Sequence, residues 1–265
     1  MTKQQEHLIS NVKRIVLIAS LALMLLVTVV VFLRRPNGSS STLRPNPYFP
    51  EDFVIRDGYM ICLAGESWLG VDVSHHQKSI RWDEVAASGV RFAMIRLGHR
   101  TVSDGEIRLD TYWEENFTGA RNAGLSIGVY FYSQAISVEE ARQEAAFVLD
   151  TLKGLRLELP VVFDWEDYYE NSRTANADPK TVNACAIAFC EEIAKAGYEP
   201  MIYFNPDLDN RLWDLEMMQQ RGYPFWLAMY SDTMNWPYEV QMWQYTETGR
   251  VDGIDTPVDL NLYFP

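Results

Sequence analysis

From Trp68 onward the chain alternates short apolar runs with helix-patterned stretches, and few folds accept that alternation. The runs are Leu69 to Val73, Phe92 to Leu97, Ser126 to Tyr132, Pro160 to Phe163, Pro200 to Phe204, Pro224 to Tyr230, Val240 to Tyr245 and Val258 to Tyr263. Each has the length and composition of a buried strand. Between the earlier ones lie helical candidates: Trp82 to Ser88, Thr111 to Ala123, Val138 to Leu152, Pro179 to Ala196 and Leu208 to Gln220. Ser137 followed by Glu140 reads as a capping box, and Asp178-Pro179 as an N-cap with proline at the first helical position. Gly89, Gly124 and Gly197 fall where helices end on a left-handed residue. Five βα units followed by closely spaced strands predict an α/β fold, an irregular TIM-like β/α barrel of about eight strands whose later helices are reduced.

Chemistry in such barrels gathers at the carboxyl ends of the strands, and Asp72, Asp164, Glu166 and Asp259 all lie at or near those ends. The most pointed signal is Phe163-Asp164-Trp165-Glu166-Asp167. On a strand, Asp164 and Glu166 face one way and Trp165 the other. Two carboxyls confined together resist double ionisation, which leaves a proton donor beside a carboxylate, the equipment for acid hydrolysis of a glycosidic bond. Acids at a strand-to-loop junction also serve solubility, and the pentapeptide alone does not separate these readings.

The segment before the barrel has a different character. Ile15 to Leu33 is 19 residues without a charge, bracketed by Lys13-Arg14 and Arg34-Arg35, which is long enough to cross a bilayer as one transmembrane helix. A cleaved signal peptide would have a shorter apolar region ending in small residues, whereas this run ends in Val-Phe-Leu-Arg-Arg-Pro. Basic residues flank it on both sides, so the positive-inside rule does not orient it. The amino terminus is placed in the cytoplasm because the function below needs the large domain outside. The expected order is a cytoplasmic tail at 1–14, an anchor in the lipid bilayer at 15–33, a Pro- and Ser-rich linker at 34–50, a β-hairpin at 51–67 turning at Asp57-Gly58, and the barrel at 68–265.

Charge excludes one class of partner. Residues 1–50 hold six basic side chains and one acidic, out of 23 and 36 in the whole chain, so the remainder is strongly acidic and unsuited to nucleic acid. Cys62, Cys185 and Cys190 lack the spacing of a zinc site and read as structural or incidental thiols. His75 and His76 invite a metal reading, but neighbours on a strand diverge and no third ligand is spaced nearby. No metal and no cofactor is expected.

Taken together, Gly70-Val71-Asp72-Val73-Ser74-His75-His76-Gln77 with Ile80 and Trp82, Asp164-Trp165-Glu166, Met242-Trp243-Gln244-Tyr245, Gly253-Ile254 and Val258-Asp259-Leu260-Asn261 resemble, in this order, the family 25 glycoside hydrolases, the Chalaropsis-type lysozymes. The likeness covers about residues 68–265. It implies an irregular β/α barrel that hydrolyses the β-1,4 bond between N-acetylmuramic acid and N-acetylglucosamine in peptidoglycan. It further implies Glu166 as the proton donor, Asp164 as its partner acting through the substrate acetamido group, and Asp72 and Asp259 as the remaining acids of the site. Among the strand aromatics, Tyr132, Tyr203 and Trp226 are favoured for the cleft, joined by Gln244 from the Met242 motif. Asp72 as a turn cap and Asp259 as a structural hydrogen-bonding residue are the plainer alternatives. Two rival functions are a metal-dependent polysaccharide deacetylase and a non-catalytic tethered peptidoglycan-binding module. The expected location is the cell membrane, single-pass, with the barrel facing the wall.

Overall fold

The computed structural model describes residues 42–166, 172–206 and 212–265. The expected tail and anchor at 1–33, Asp167 and the start of the helix expected from Leu208 lie outside these residues. No helix among the described residues is long and apolar enough to cross a membrane.

All eight expected strands are present, as β3 (Trp68–Val73), β4 (Phe92–Arg100), β6 (Ser126–Ser133), β7 (Val161–Trp165), β8 (Pro200–Phe204), β9 (Phe225–Ala228), β10 (Met242–Gly249) and β11 (Val258–Tyr263). They pair in the order β3-β11-β10-β9-β8-β7-β6-β4, and β4 returns to β3, so the sheet closes. Seven run parallel; β11 is antiparallel to both its neighbours, β10 and β3. Closure removes free edges in the ring and places every carboxyl end of a parallel strand at one mouth.

Alternation along the strands divides two layers of packing. Phe92, Met94, Val162, Met201, Tyr203, Trp226, Ala228, Met242 and Tyr263 fill the barrel interior, while Val71, Ile95, Phe163, Phe204 and Leu227 join the outer core. The interior accepts its largest groups beside its smallest. Gly70 is the register partner of Phe92, and a methyl at Gly70 would sit 2.2 Å from the Phe92 ring. Gly128 stands opposite Met94 for the same reason, with only 2.5 Å to the sulfur.

The helices are α1 (Trp82–Ala87), α2 (Trp113–Asn122), α3 (Val138–Thr151), α4 (Pro179–Lys195) and α5 (Leu215–Gln220). Asp178 Oδ1 accepts from the Lys180 and Thr181 amides as expected, and Ser137 Oγ accepts from the Glu140 amide at 3.3 Å, but the Glu140 carboxylate takes the Ile136 amide at 2.9 Å rather than that of Ser137, so only half of the expected capping box forms. At α4 the stop is Gly197, at φ +88°, a conformation costly for any residue with a Cβ. In the described part, α5 is capped by Asp214 and spans only six residues. No helix intervenes between β9 and β10 or between β10 and β11.

That helix-poor flank is covered by the segment before the barrel. β1 (Phe53–Arg56) and β2 (Tyr59–Cys62) form the expected hairpin, with Asp57 and Gly58 both at positive φ. It is no separate appendage: Phe53 packs edge-on against Trp243 at 5.2 Å, and the Met60 amide donates to Tyr245 Oη. Phe53 and Met60 are buried, each stabilising the assembly by roughly 1.5–3 kcal/mol. Of the expected linker, residues 34–41 lie outside the described residues, and residues 43–50 pack as a strap against the amino-terminal ends of the strands through backbone and aromatic contacts. Arg44 pairs with Glu239 at 2.6 Å, Pro45 bridges Tyr238, the Asn46 amide donates to Pro237 O, and Tyr48 stacks on Phe264.

One strand was not expected. β5 (Ile107–Leu109) pairs antiparallel with Gly98 to Arg100 and carries β4 three residues past its predicted end. Three residues are too few for a period to show.

Candidate active site

The mouth of the barrel holds a cavity of about 510 Å³. Asp72, Asp164, Glu166 and Asp259, brought from the two ends and the middle of the domain, all line it. Tyr132, Tyr203, Trp226 and Gln244 line it too, so all eight residues singled out from the sequence converge there.

β7 places the central pair as its alternation requires. Asp164 faces inward above Val162, and Glu166 follows one residue past the strand on the cleft side. Trp165 is turned away and fully buried, its indole donating to Ala135 O at 3.0 Å. Gln134 fastens the next residue by donating to the Glu166 carbonyl at 2.9 Å. Both anchors lie outside the cleft and neither uses a carboxyl group. Asp164 is 6% exposed and Glu166 7%, enough for a ligand to reach and too little for bulk water to screen.

A second acidic pair has no signature in spacing. Antiparallel register sets Asp259 of β11 directly opposite Asp72 of β3, and the two carboxyls are in hydrogen-bonding contact. Burial pushes both upward, and the neighbouring Asp72 charge helps carry Asp259 to about 9. Asp72 is restrained by donors: Asn261 Nδ2 reaches its Oδ2 at 2.7 Å and Gln244 Nε2 at 2.9 Å. Gln244 Oε1 in turn accepts from the Tyr203 and Tyr230 hydroxyls at 3.2 and 3.1 Å. Hydrogen bonds to a carboxylate are worth about 1.5–3 kcal/mol each, so this bonding largely decides which acid of the pair ionises.

The expected strand around His75 and His76 is instead a 3-10 turn, His75–Gln77, because Ser74 caps it by accepting from the His76 amide. The rings lie 4.0 Å apart rather than on opposite faces. His75 engages Asp110 and Arg96, and His76 lines the cleft, its basicity lowered by burial and by His75. Among the described residues, no three His, Cys, Asp or Glu side chains are placed to hold a metal ion.

Sequence reasoning left out several cleft residues. Tyr130 lies two before Tyr132 on β6 and shares its face, a signal that period 2 already contained. Burial, with the nearby Asp72 and Asp164 carboxylates, keeps its phenol protonated. Arg96, the one charge within the apolar run of β4, reaches the cleft wall and is held by Asp110 at 2.7 Å. Burial alone would raise Asp110, yet the Tyr112 amide and Arg96 hold it below the ordinary range. Tyr230 and Glu247 complete the rim opposite.

The family model "Glycosyl hydrolases family 25" matches residues 71–254. An uncharacterized protein, YegX, of Escherichia coli strain K12 is 29% identical over 212 residues, covering 73% of this chain and 68% of its own. Lysozyme M1 of Streptomyces globisporus is 26% identical over 206 residues, covering 73% and 67%. The modular autolysin LytC of Streptococcus pneumoniae, solved with a synthetic peptidoglycan ligand, superimposes with a TM-score of 0.66 at 22% identity. That superposition covers 80% of this chain and 58% of LytC, and it speaks to the fold.

Proposed function

Because this chain belongs to glycosyl hydrolases family 25 and is a glycoside hydrolase, we propose that its cleft cleaves the β-1,4 bond between N-acetylmuramic acid and N-acetylglucosamine in peptidoglycan. The observation that carries the reading is the pair of carboxyls on one wall of the cleft, Asp164 and Glu166, with Trp165 locked behind them. Glu166 gives its proton to the glycosidic oxygen as the bond to the anomeric carbon breaks. The acetamido oxygen of the same sugar attacks that carbon, and Asp164 orients the acetamido N–H and balances the positive charge that develops. Water, losing a proton to Glu166, then opens the cyclic intermediate and restores the acid. Tyr132, Tyr203, Trp226 and Gln244 are assigned to sugar binding, with Asp72 and Asp259 forming the floor.

Membrane attachment through residues 15–33, with the cleft facing the wall, is part of the same proposal. The uncharged run supports it. So does the strap at residues 43–50, which meets the barrel at the end opposite the cleft.

The test is digestion of purified peptidoglycan by the membrane-extracted protein, with mass spectrometry of the soluble fragments. New reducing ends on muramic acid are expected. Reducing ends on glucosamine, or deacetylated but uncut glycan, would overturn the proposal, and recovery of the protein in the soluble fraction without detergent would overturn the anchor.

A further inference from the structure

Asp72 and Asp259 face each other across two strands and share a hydrogen bond, so one of them carries a proton. The surrounding amides say which. Trp226 Nε1–H can only donate, and it points at Asn261 Oδ1 from 2.9 Å. Turning the Asn261 amide over would set two donors face to face. Its NH2 is therefore committed to Asp72 Oδ2, where the Gln244 NH2 also arrives. Two N–H donors stabilise a negative charge on Asp72; among the described residues no N–H donor reaches Asp259.

We infer that Asn261, its amide held by the Trp226 indole, places the shared proton on Asp259 and fixes an ionised Asp72 at the floor of the cleft. Asn261 is thus a positioning residue, and its part in catalysis rests on the muramidase reading above. The titratable and charged groups that share the cleft with the pair are Glu247 of β10, Asp164 and Glu166 at the end of β7, Tyr130 and Tyr132 of β6, Tyr203 of β8, Tyr230 after β9, Arg96 of β4 and His76 after β3. Six of these are neutral or cationic, and the three carboxyls oppose a second charge on the pair. A single fixed charge beside Glu166 is the consequence: two would bind the Glu166 proton too tightly to release it. This also gives Trp226 a second duty, since its ring lines the cleft while its N–H sets an amide behind it.

The test begins without substrate. Full-length protein labelled with ¹³C at the aspartate carboxyls is titrated by NMR, with Asp72→Asn and Asp259→Asn assigning the two resonances. At neutral pH Asp72 is expected as a carboxylate and Asp259 as the acid; the reverse order overturns the inference. Asn261→Leu is expected to raise the Asp72 midpoint by about one unit or more, the shift that loss of one hydrogen bond to a charged group produces. The acid-side limb of kcat/KM against pH should rise with it while KM holds. Trp226→Phe should move the same limb less and add nothing to Asn261→Leu. It also stands in should Asn261→Leu fail to fold. Titrations and limbs unmoved in both variants overturn the inference. A wild-type protein with the expected NMR titration and no muramidase activity overturns the functional reading instead and leaves the proton on Asp259.

Discussion

Glu166→Gln is expected to lower kcat/KM on peptidoglycan by about a hundred- to ten-thousand-fold, the range that a positioned general acid supplies. The loss should fall in kcat, with KM little changed, because the amide keeps the shape of the side chain and removes only its proton. Stability should be preserved as well. The backbone there is held by Gln134 on the Glu166 carbonyl and by Trp165 on Ala135, and neither bond uses the carboxyl group. The sharper comparison uses a leaving group that departs without protonation, such as a nitrophenolate on the same sugar. With it, Glu166→Gln should recover most of its first-step rate, whereas Asp164→Asn should remain impaired with either substrate, since in the proposed mechanism Asp164 orients the acetamido group whatever the leaving group. Equal losses on both substrates for Glu166→Gln would show that Glu166 does not act as the proton donor.

Arg100→Met is the substitution with the largest expected effect on stability. Arg100 at the end of β4 is almost wholly buried, with Nε 2.7 Å from Glu144 Oε1, Nη1 donating to Gly105 O and Nη2 donating to Glu140 O. Glu144 projects from α3 and takes its second hydrogen bond from Ser133 Oγ at 2.6 Å. Removing one partner of a buried ion pair strands the other, at about 3–5 kcal/mol. Urea unfolding should show that loss as a fall in midpoint at pH 8.

The pH dependence has a definite sign. Burial lifts the Glu144 carboxyl to about 7 against the pull of Ser133 and Arg100. Folding therefore favours its protonated form, and this contribution, present below the ordinary carboxylate range, declines as pH rises through about 7. The deficit of Arg100→Met should shrink accordingly at pH 5, where Glu144 accepts a proton. The double substitution Arg100→Met with Glu144→Met should regain most of the loss, because matched apolar groups pack where the pair stood. A single-variant loss below about 1 kcal/mol at pH 8 would mean that water reaches the pair after all.

Glu144 also illustrates where reading a chain locally stops. It lies on the buried face of α3 with Ala141, Ala145 and Val148, and helical spacing alone marks that face correctly. Nothing in the spacing says that an arginine 44 positions earlier will meet it. Position matters equally for the aromatic residues. Tyr130 and Tyr132 share a face by simple alternation, yet which strand aromatics line the mouth and which fill the floor follows from how far each strand reaches along the barrel.

The amino-acid sequence by itself determined the eight strands, the caps of α3 and α4, the hairpin turn at Asp57-Gly58 and the shared orientation of Asp164 and Glu166. All of these rest on interactions within a few residues, where apolar period, cap chemistry and alternation act directly. Tertiary structure alone decided that Asp259 stands opposite Asp72, that Trp226 turns Asn261 toward that pair, that the hairpin and strap cover the flank without helices, and that β5 lengthens β4. Each depends on register between segments far apart in the chain, and register is set only when the first and last strands meet and the barrel closes.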